Sequence, residues 1–336
     1  MRGTKTALVL KDHRIGNVNQ ALSLAQQLMI KYKTINIQYN CLSILPNCIL
    51  SIYPIHINKS DFVELLNNNS LSKAPDFIIS SGRRLAPLAL YLKKFFLNQP
   101  KIIQIMRPQI ALHKFDIVIL PSHDNPPQNK PNIITINSAL NNVTNRIKQS
   151  NEPISLFQKY PIITNEKFVG VIIGGDTKNH QMSQKYADEF LQILSALHDK
   201  NKMPFFFSFS RRTPKFFKEL IIKKFNDGTH IIYDPTIIND NAYNPYLGIL
   251  YNAYCLILTA DSISMCSEAV STGKSTYIHC PQYLPLKKHK VFVERLINLG
   301  AAKYLDCNTD LSTIYHYEPL NEVEKVVDII KNKINI

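Results

Sequence analysis

Two hydrophobic patterns alternate along this chain. Short continuous apolar runs occupy Thr6–Leu10, Asp76–Ile79, Lys101–Ile105, Asp116–Leu120 and Asn132–Ile136. Runs of this kind, bounded by Pro, Asn or charged residues, predict strands buried on both faces. Between them lie segments of helical spacing. Gln20–Ile30 sets Ala21, Leu24, Ala25 and Leu28 on one face, and Leu85–Phe96 reads as a second helix. The alternation restarts with strands at Phe168–Ile173, Phe205–Phe209, His230–Tyr233, Cys255–Thr259 and Ser275–His279. Its helices fall at about Gln184–His198, Tyr246–Ala253, Ser264–Thr272 and Asn321–Asn332. The stretch 151–165 breaks the pattern, is polar, carries Pro153 and Pro161, and reads as a linker.

Strands alternating with helices predict parallel sheets covered on both faces. The expected organisation is α/β, with two doubly wound domains, 1–150 and 166–336, facing a cleft. The last helix is a candidate to return to the first domain. A length of 336 residues suits two domains. In such sheets ligands sit beyond the carboxyl ends of the strands, so the strand-end loops are where chemistry is expected.

Composition narrows the class. The chain is 45% hydrophobic and 19% charged, which is globular. No run of about 18 apolar residues occurs, so no membrane span is expected. Ala7–Leu10 is too short an apolar core for a secretory signal. None of the six cysteines forms a C-x-x-C pair, which predicts reduced thiols and a cytoplasmic location. The net charge is +14, and it is uneven: residues 1–164 carry 19 Lys+Arg against 7 Asp+Glu, residues 165–336 carry 20 against 18. The basic first half either serves solubility alone or meets an anion, whether nucleic acid, acidic lipid or phosphorylated glycan.

Several familiar sites are missing. No G-x-G-x-x-G follows a strand, and Glu268 stands where a P-loop ending at Gly273-Lys274-Ser275 would need its first glycine. No H-E-x-x-H, clustered Cys/His or paired carboxylates appear, so no metal site is expected. The strand-end loops are richer. Gly174-Gly175 is either a tight turn or a loop whose N–H groups approach a phosphate. Ser210-Arg211-Arg212-Thr213-Pro214 is either a solvated basic turn or a diphosphate site. Ser81-Gly82-Arg83-Arg84 is its counterpart in the first half, and Arg14 and Arg107 also fall in such loops. In Asp261-Ser262-Ile263-Ser264-Met265 the hydroxyls either cap a helix or hold phosphate, and Glu268 either offsets the helix dipole or reaches ribose hydroxyls. His13 and His123 also stand in loops.

Taken together, these blocks resemble the bacterial relatives of the plant "elongated mitochondria" fission proteins, a family built like the GT-B glycosyltransferases. The resemblance covers nearly the whole chain. It rests on Asp12-x-Arg14-x-Gly16-x-x-Asn19-Gln20-Ala21, Ser81-Gly82-Arg83-Arg84-x-Ala86-Pro87, Arg107-Pro108, Pro121-x-His123-Asp124 and Gly174-Gly175. It also rests on Ser210-Arg211-Arg212-Thr213-Pro214, Asn244-Pro245-Tyr246-Leu247-Gly248 and the long block Thr259-Ala260-Asp261-Ser262-x-Ser264-Met265-x-x-Glu268-Ala269-x-x-Thr272-Gly273-Lys274. The chain departs from the family at His13, where Gly is usual, and at Asn17, where His is usual.

The resemblance implies two Rossmann-like domains, the second holding a nucleotide sugar and the first an acceptor. It implies Gly175, Ser210, Arg211, Ser262, Ser264, Met265 and Glu268 for the nucleotide, to which Gly174 and Arg212 belong by position. Candidate substrate contacts are Arg14, Gly16, Asn19, Gln20, Ser81, Gly82, Arg83, Arg107 and Asn244. Candidate bases are Asp12, His13 and His123. The expected activity is metal-independent transfer of a sugar from a nucleotide sugar to an anionic, lipid-linked acceptor. No tightly bound cofactor is expected, and the nucleotide sugar is a co-substrate. The alternatives are a nucleotide-sugar epimerase and a non-catalytic peripheral protein of the mitochondrial-fission type. Acidic membrane at the inner face is the expected peripheral contact, and nucleic acid is not an expected partner.

Overall fold

A computed structural model describes residues 5–61, 73–97, 99–163, 167–177, 180–237 and 243–334. The chain divides into two compact units, Met1–Asn142 with Asn321–Ile336, and Val143–Leu320.

Unit 1 holds β1 (Thr6–Lys11), β2 (Lys31–Asn36), β3 (Phe77–Ser81), β4 (Lys101–Ile105), β5 (Ile117–Pro121) and β6 (Ile133–Ile136). They form one sheet in the order β2-β1-β3-β4-β5-β6, with every pairing parallel. Around it lie α1 (Ile15–Gln27), the short α2 (Asn47–Leu50) and α3 (Ala86–Phe95). Because strand side chains alternate, each strand feeds two cores. Val9, Ile79, Ile103 and Ile119 pack with Ala21 and Leu24 of α1. Leu8, Ile78, Ile102 and Val118 pack on the other face with Leu88 and Leu92 of α3.

Unit 2 holds β7 (Val169–Ile173), β8 (Phe205–Phe209), β9 (Ile231–Tyr233), β10 (Cys255–Thr259), β11 (Thr276–His279) and β12 (Lys303–Tyr304). Their order is β12-β11-β10-β7-β8-β9, again parallel throughout. Its helices are α4 (Val143–Gln149), α5 (Glu152–Lys159), α6 (Gln184–Asn201), α7 (Lys215–Phe225), α8 (Tyr246–Asn252), α9 (Ile263–Val270) and α10 (Lys287–Asn298). The chain then ends in α11 (Glu322–Ile334), whose Val323, Val326, Val327 and Ile330 complete the α1 side of the unit 1 core.

The segment read as a linker is structured where it is described. Pro153 sits in the first turn of α5, where a missing N–H costs nothing, and Leu156 is fully buried in the unit 2 core. Prolines that look like breakers in the sequence thus open a helix and, at Pro161, a 3-10 turn. Residues 164 and 165, at the end of that expected linker, and residue 166, expected to open the second domain, lie outside the described residues.

Both strand orders contain one reversal. In unit 1 the chain winds outward from β1 to β2 and returns to β3; in unit 2 it winds from β7 to β9 and returns to β10. Such a reversal opens a crevice at the carboxyl ends of the two neighbouring strands. These ends are β1 with β3, and β7 with β10.

Candidate functional site

At the unit 2 reversal, two loops interlock. Gly174 N–H donates to Thr259 Oγ1 (2.8 Å), and Gly175 N–H donates to Asp261 Oδ2 (2.7 Å). A Cβ at Gly174 would stand 2.0 Å from Asp261 Oδ2, and one at Gly175 would stand 2.2 Å from the Arg212 backbone. Close approach therefore demands both glycines. Their N–H groups, which the sequence offers to a phosphate, bind Thr259 at the end of β10 and Asp261 two residues beyond it.

The 210–213 loop is fastened to the same place. Thr213 Oγ1 donates to the Gly174 carbonyl (2.5 Å) and accepts the Ser210 N–H (2.9 Å). Ser210 Oγ accepts the Arg212 N–H (3.2 Å). Arg212 Nη1 reaches the Asp176 carbonyl (3.0 Å), while the Asp176 N–H returns to the Arg212 carbonyl (3.0 Å). The guanidinium groups of Arg211 and Arg212 belong to exposed residues on this rigid turn.

Asp261 was not a sequence candidate, yet it organises the loop. It is only 3% exposed, and its Oδ1 has no hydrogen-bond partner among the described residues. Burial pushes its carboxyl pKa up, against the Thr259 and Gly175 hydrogen bonds and the Arg212 charge. The sequence signal was its position two residues after the end of a buried strand.

Ser262 caps α9, its Oγ accepting the Met265 N–H (3.4 Å); Ser264 and Met265 are half-buried in the first turn. Glu268 accepts the Tyr246 hydroxyl at 2.5 Å. Burial raises the Glu268 pKa, and the Tyr246 bond and the Arg146 charge oppose this. Glu268 thus ties α9 to α8 in addition to any ribose role. Asn244 Oδ1 accepts the Tyr246 N–H (3.0 Å) and so starts α8.

At the unit 1 reversal, Asp12 Oδ1 accepts the Arg14 N–H (2.9 Å) and Oδ2 accepts the Tyr39 hydroxyl (3.0 Å). His13 lies edge-on to the Tyr39 ring at 5.9 Å. Tyr39 stacks on the fully buried His56 (5.8 Å), whose Nε2–H donates to the Arg84 carbonyl (2.9 Å). Burial lowers the His56 pKa and raises that of Tyr39, the latter helped by the Asp12 charge. Arg84 feels burial and repulsion from Arg83 and Arg14, which lower its pKa. Arg83 Nη1 donates to Gln109 Oε1 (3.0 Å). Among the described residues, none of these three arginines forms a salt bridge.

Gly82 has a φ of +85°, and a Cβ there would stand 2.5 Å from Asn17 Nδ2. Asn17, the residue that departs from the family, is therefore in contact with the β3 loop. Ser81 is buried and its Oγ has no partner among the described residues. Gln104, fully buried, was missed by sequence reasoning. Its Nε2 donates to the Ile105 carbonyl (2.7 Å) and the Gly82 carbonyl (3.2 Å), and its Oε1 accepts Ser80 Oγ (2.6 Å).

Other candidates are structural or apart. Gln20 is buried, with Nε2 at 3.4 Å from the Gly16 carbonyl, while Asn19 is exposed on α1. Arg107 Nη2 donates to the Asp124 carbonyl (2.7 Å) and thereby holds the turn that carries His123. That turn follows β5, two strands from β3. No group of three or more His, Cys, Asp or Glu among the described residues is arranged to hold a metal ion. No helix among them is long and apolar enough to cross a membrane.

Two Rossmann-like parallel sheets, each with its polar loops at the strand-order reversal, define the GT-B architecture. The UDP-GlcNAc 2-epimerase of Methanocaldococcus jannaschii has it, with a TM-score of 0.60 at 12% identity over 98% of this chain and 99% of that one. So does a UDP-glucosyltransferase from Polygonum tinctorium capable of glucosylating indoxyl, with a TM-score of 0.52 at 10% identity over 98% and 89%. Within that architecture the chain belongs to the mitochondrial fission ELM1 family, whose model matches residues 15–334. An uncharacterised protein of Rickettsia prowazekii (strain Madrid E) is 40% identical over 98% of each chain. The mitochondrial fission protein ELM1 of Arabidopsis thaliana is 24% identical over 81% of this chain and 67% of its own.

Proposed function

We propose that the protein is a GT-B glycosyltransferase that uses a nucleotide sugar without a metal ion. The observation that carries this reading is the exposed Arg211–Arg212 pair on the turn after β8, which Thr213 ties to the Ile173 carbonyl of β7, one of the two strands at the reversal where such folds bind ligands. Guanidinium groups suit a diphosphate because they pair bidentately with phosphate oxygens. In the reaction the bond from the anomeric carbon to the diphosphate oxygen breaks, and a bond to the acceptor hydroxyl oxygen forms. Arg211, Arg212 and the N-terminus of α9 stabilise the negative charge on the departing nucleoside diphosphate. The acceptor proton passes to Asp12 or His13. Asp12 keeps lone pairs for this, since among the described residues Oδ1 accepts the Arg14 N–H and Oδ2 the Tyr39 hydroxyl, one bond each. Arg14 and Arg83 suit a phosphorylated, lipid-linked acceptor.

A second reading is an epimerase, supported by the likeness to UDP-GlcNAc 2-epimerases; it predicts sugar isomerisation with no acceptor present. A third, without catalysis, is supported by the name of the Arabidopsis relative.

Thermal unfolding against UDP, GDP, ADP and CMP and their sugars tests the reading. A ligand at 100 times its dissociation constant stabilises by about 2.7 kcal/mol. We expect a shift with one base, lost in Arg211→Ala, whose exposed side chain leaves the fold intact. A folded protein that shifts with none of them rules out the donor site.

A further inference from the structure

We propose that unit 1 docks on an anionic lipid bilayer through residues 41–55, with the adjacent arginines at headgroup level. This needs no nucleotide sugar, although it shares Arg14 and Arg83 with the acceptor side of the reading above. Exposed large apolar side chains are ordinary when scattered, and a contiguous set marks a binding surface. Between residues 42 and 55, Leu42, Ile44, Ile49, Ile52, Tyr53 and Ile55 are all exposed, Ile44 at 83% and Ile52 at 74%.

The segment is held in this posture. Leu50 and Ile57 are buried and anchor it to the core. Asn47 Nδ2 donates to the Arg83 and Pro108 carbonyls, both at 2.7 Å. Arg84 Nη1 donates to the Leu45 carbonyl (2.9 Å) and Asn47 Oδ1 (3.0 Å). The same contacts bring the apolar segment beside the Arg83–Arg84 loop.

Charge selects the occupant. Residues 41–58 contain no Asp, Glu, Lys or Arg, whereas unit 1 as a whole carries 19 Lys+Arg against 9 Asp+Glu, a net +10. Arg14 and Arg83 are exposed. A second copy would bring an equal positive charge to the face. An anionic bilayer satisfies both halves: isoleucines enter the acyl boundary while guanidinium groups meet headgroup phosphates.

The test is flotation of the full chain with phosphatidylcholine vesicles, with or without phosphatidylglycerol. We expect binding only with the anionic lipid, weakened by salt. Ile44→Ser/Ile52→Ser, both at exposed positions, should weaken binding about tenfold or more. A polarity-sensitive dye on exposed Cys48 should shift to the blue on vesicles, whereas one on exposed Cys307 of unit 2 should not. The proposal is overturned by no flotation, by equal flotation of the double variant, or by binding to neutral vesicles alone. It is equally overturned if the double substitution converts a dimer to a monomer in sedimentation, since the occupant would then be a second copy. Nucleotide-induced thermal shifts, measured in the same variant, keep the two readings separable.

Discussion

His279 closes β11 with its ring 4.7 Å from that of Tyr186 and 5.3 Å from that of Phe190. It is 2% exposed, and its Nε2 has no hydrogen-bond partner among the described residues, with Glu189 Oε1 at 3.9 Å. Burial pushes its pKa down to about 4, against the weaker pull of Glu189. A folded pKa below the unfolded value of about 6.5 means that the unfolded chain binds the extra proton between those limits. Stability contributed by neutral His279 is present above about 6.5 and is lost as pH falls towards about 4, by up to roughly 3 kcal/mol. Urea titrations across this range should show the fall, and His279→Gln should flatten it. Asp261 and Glu268 act with the opposite sign. Their raised folded pKa values favour the protonated form, so their contribution declines as pH rises from the unfolded carboxylate range. The comparison of variant with parent isolates His279 from both.

At the scale of elements, packing distance governs what the sequence can change. Gly170 in β7 lies under α8, and a Cβ there would stand 2.6 Å from Ile249 Cγ2 and 2.9 Å from Leu256 Cδ2. Gly170→Ala should therefore cost about 1–3 kcal/mol through overpacking. Ile249→Leu, which removes the branch methyl, should recover part of that loss in the double variant, as read from urea midpoints. The buried strands were legible because β3, β5, β7, β8 and β10 are covered on both faces and read as unbroken apolar runs. β2 was not, since Lys31 and Lys33 give an exposed edge strand the look of a loop. α10 hid behind Lys287, Lys288 and Lys290, although its Phe292, Val293 and Leu296 are buried. Residue types marked the strand-end loops. The partners did not: Gly174 with Asp261, Gly82 with Asn17, and Gln104 with Gly82 are contacts between distant stretches, which no local pattern encodes.

At the scale of the molecule, the described residues form one core in unit 2 and two in unit 1, and unit 1 joins residues 1–142 to residues 321–336. Val327 of α11, 3% exposed, packs in the cluster of Ala21 and Leu24. Val327→Asp would bury an unpaired charge there, a change expected to cost at least about 3 kcal/mol. Hydrogen exchange should then show lost protection in peptides of unit 1 and retained protection in peptides of unit 2. Retained protection throughout would mean that α11 contributes little to the first sheet.

That discontinuity orders events during synthesis. As the chain emerges from the ribosome, residues 1–142 appear first but lack the helix that covers the α1 face of their sheet. Unit 2 is contiguous and can close as soon as Leu320 has cleared the exit tunnel. The half made first is thus finished last, and through most of translation its bare apolar face is a natural client for a chaperone.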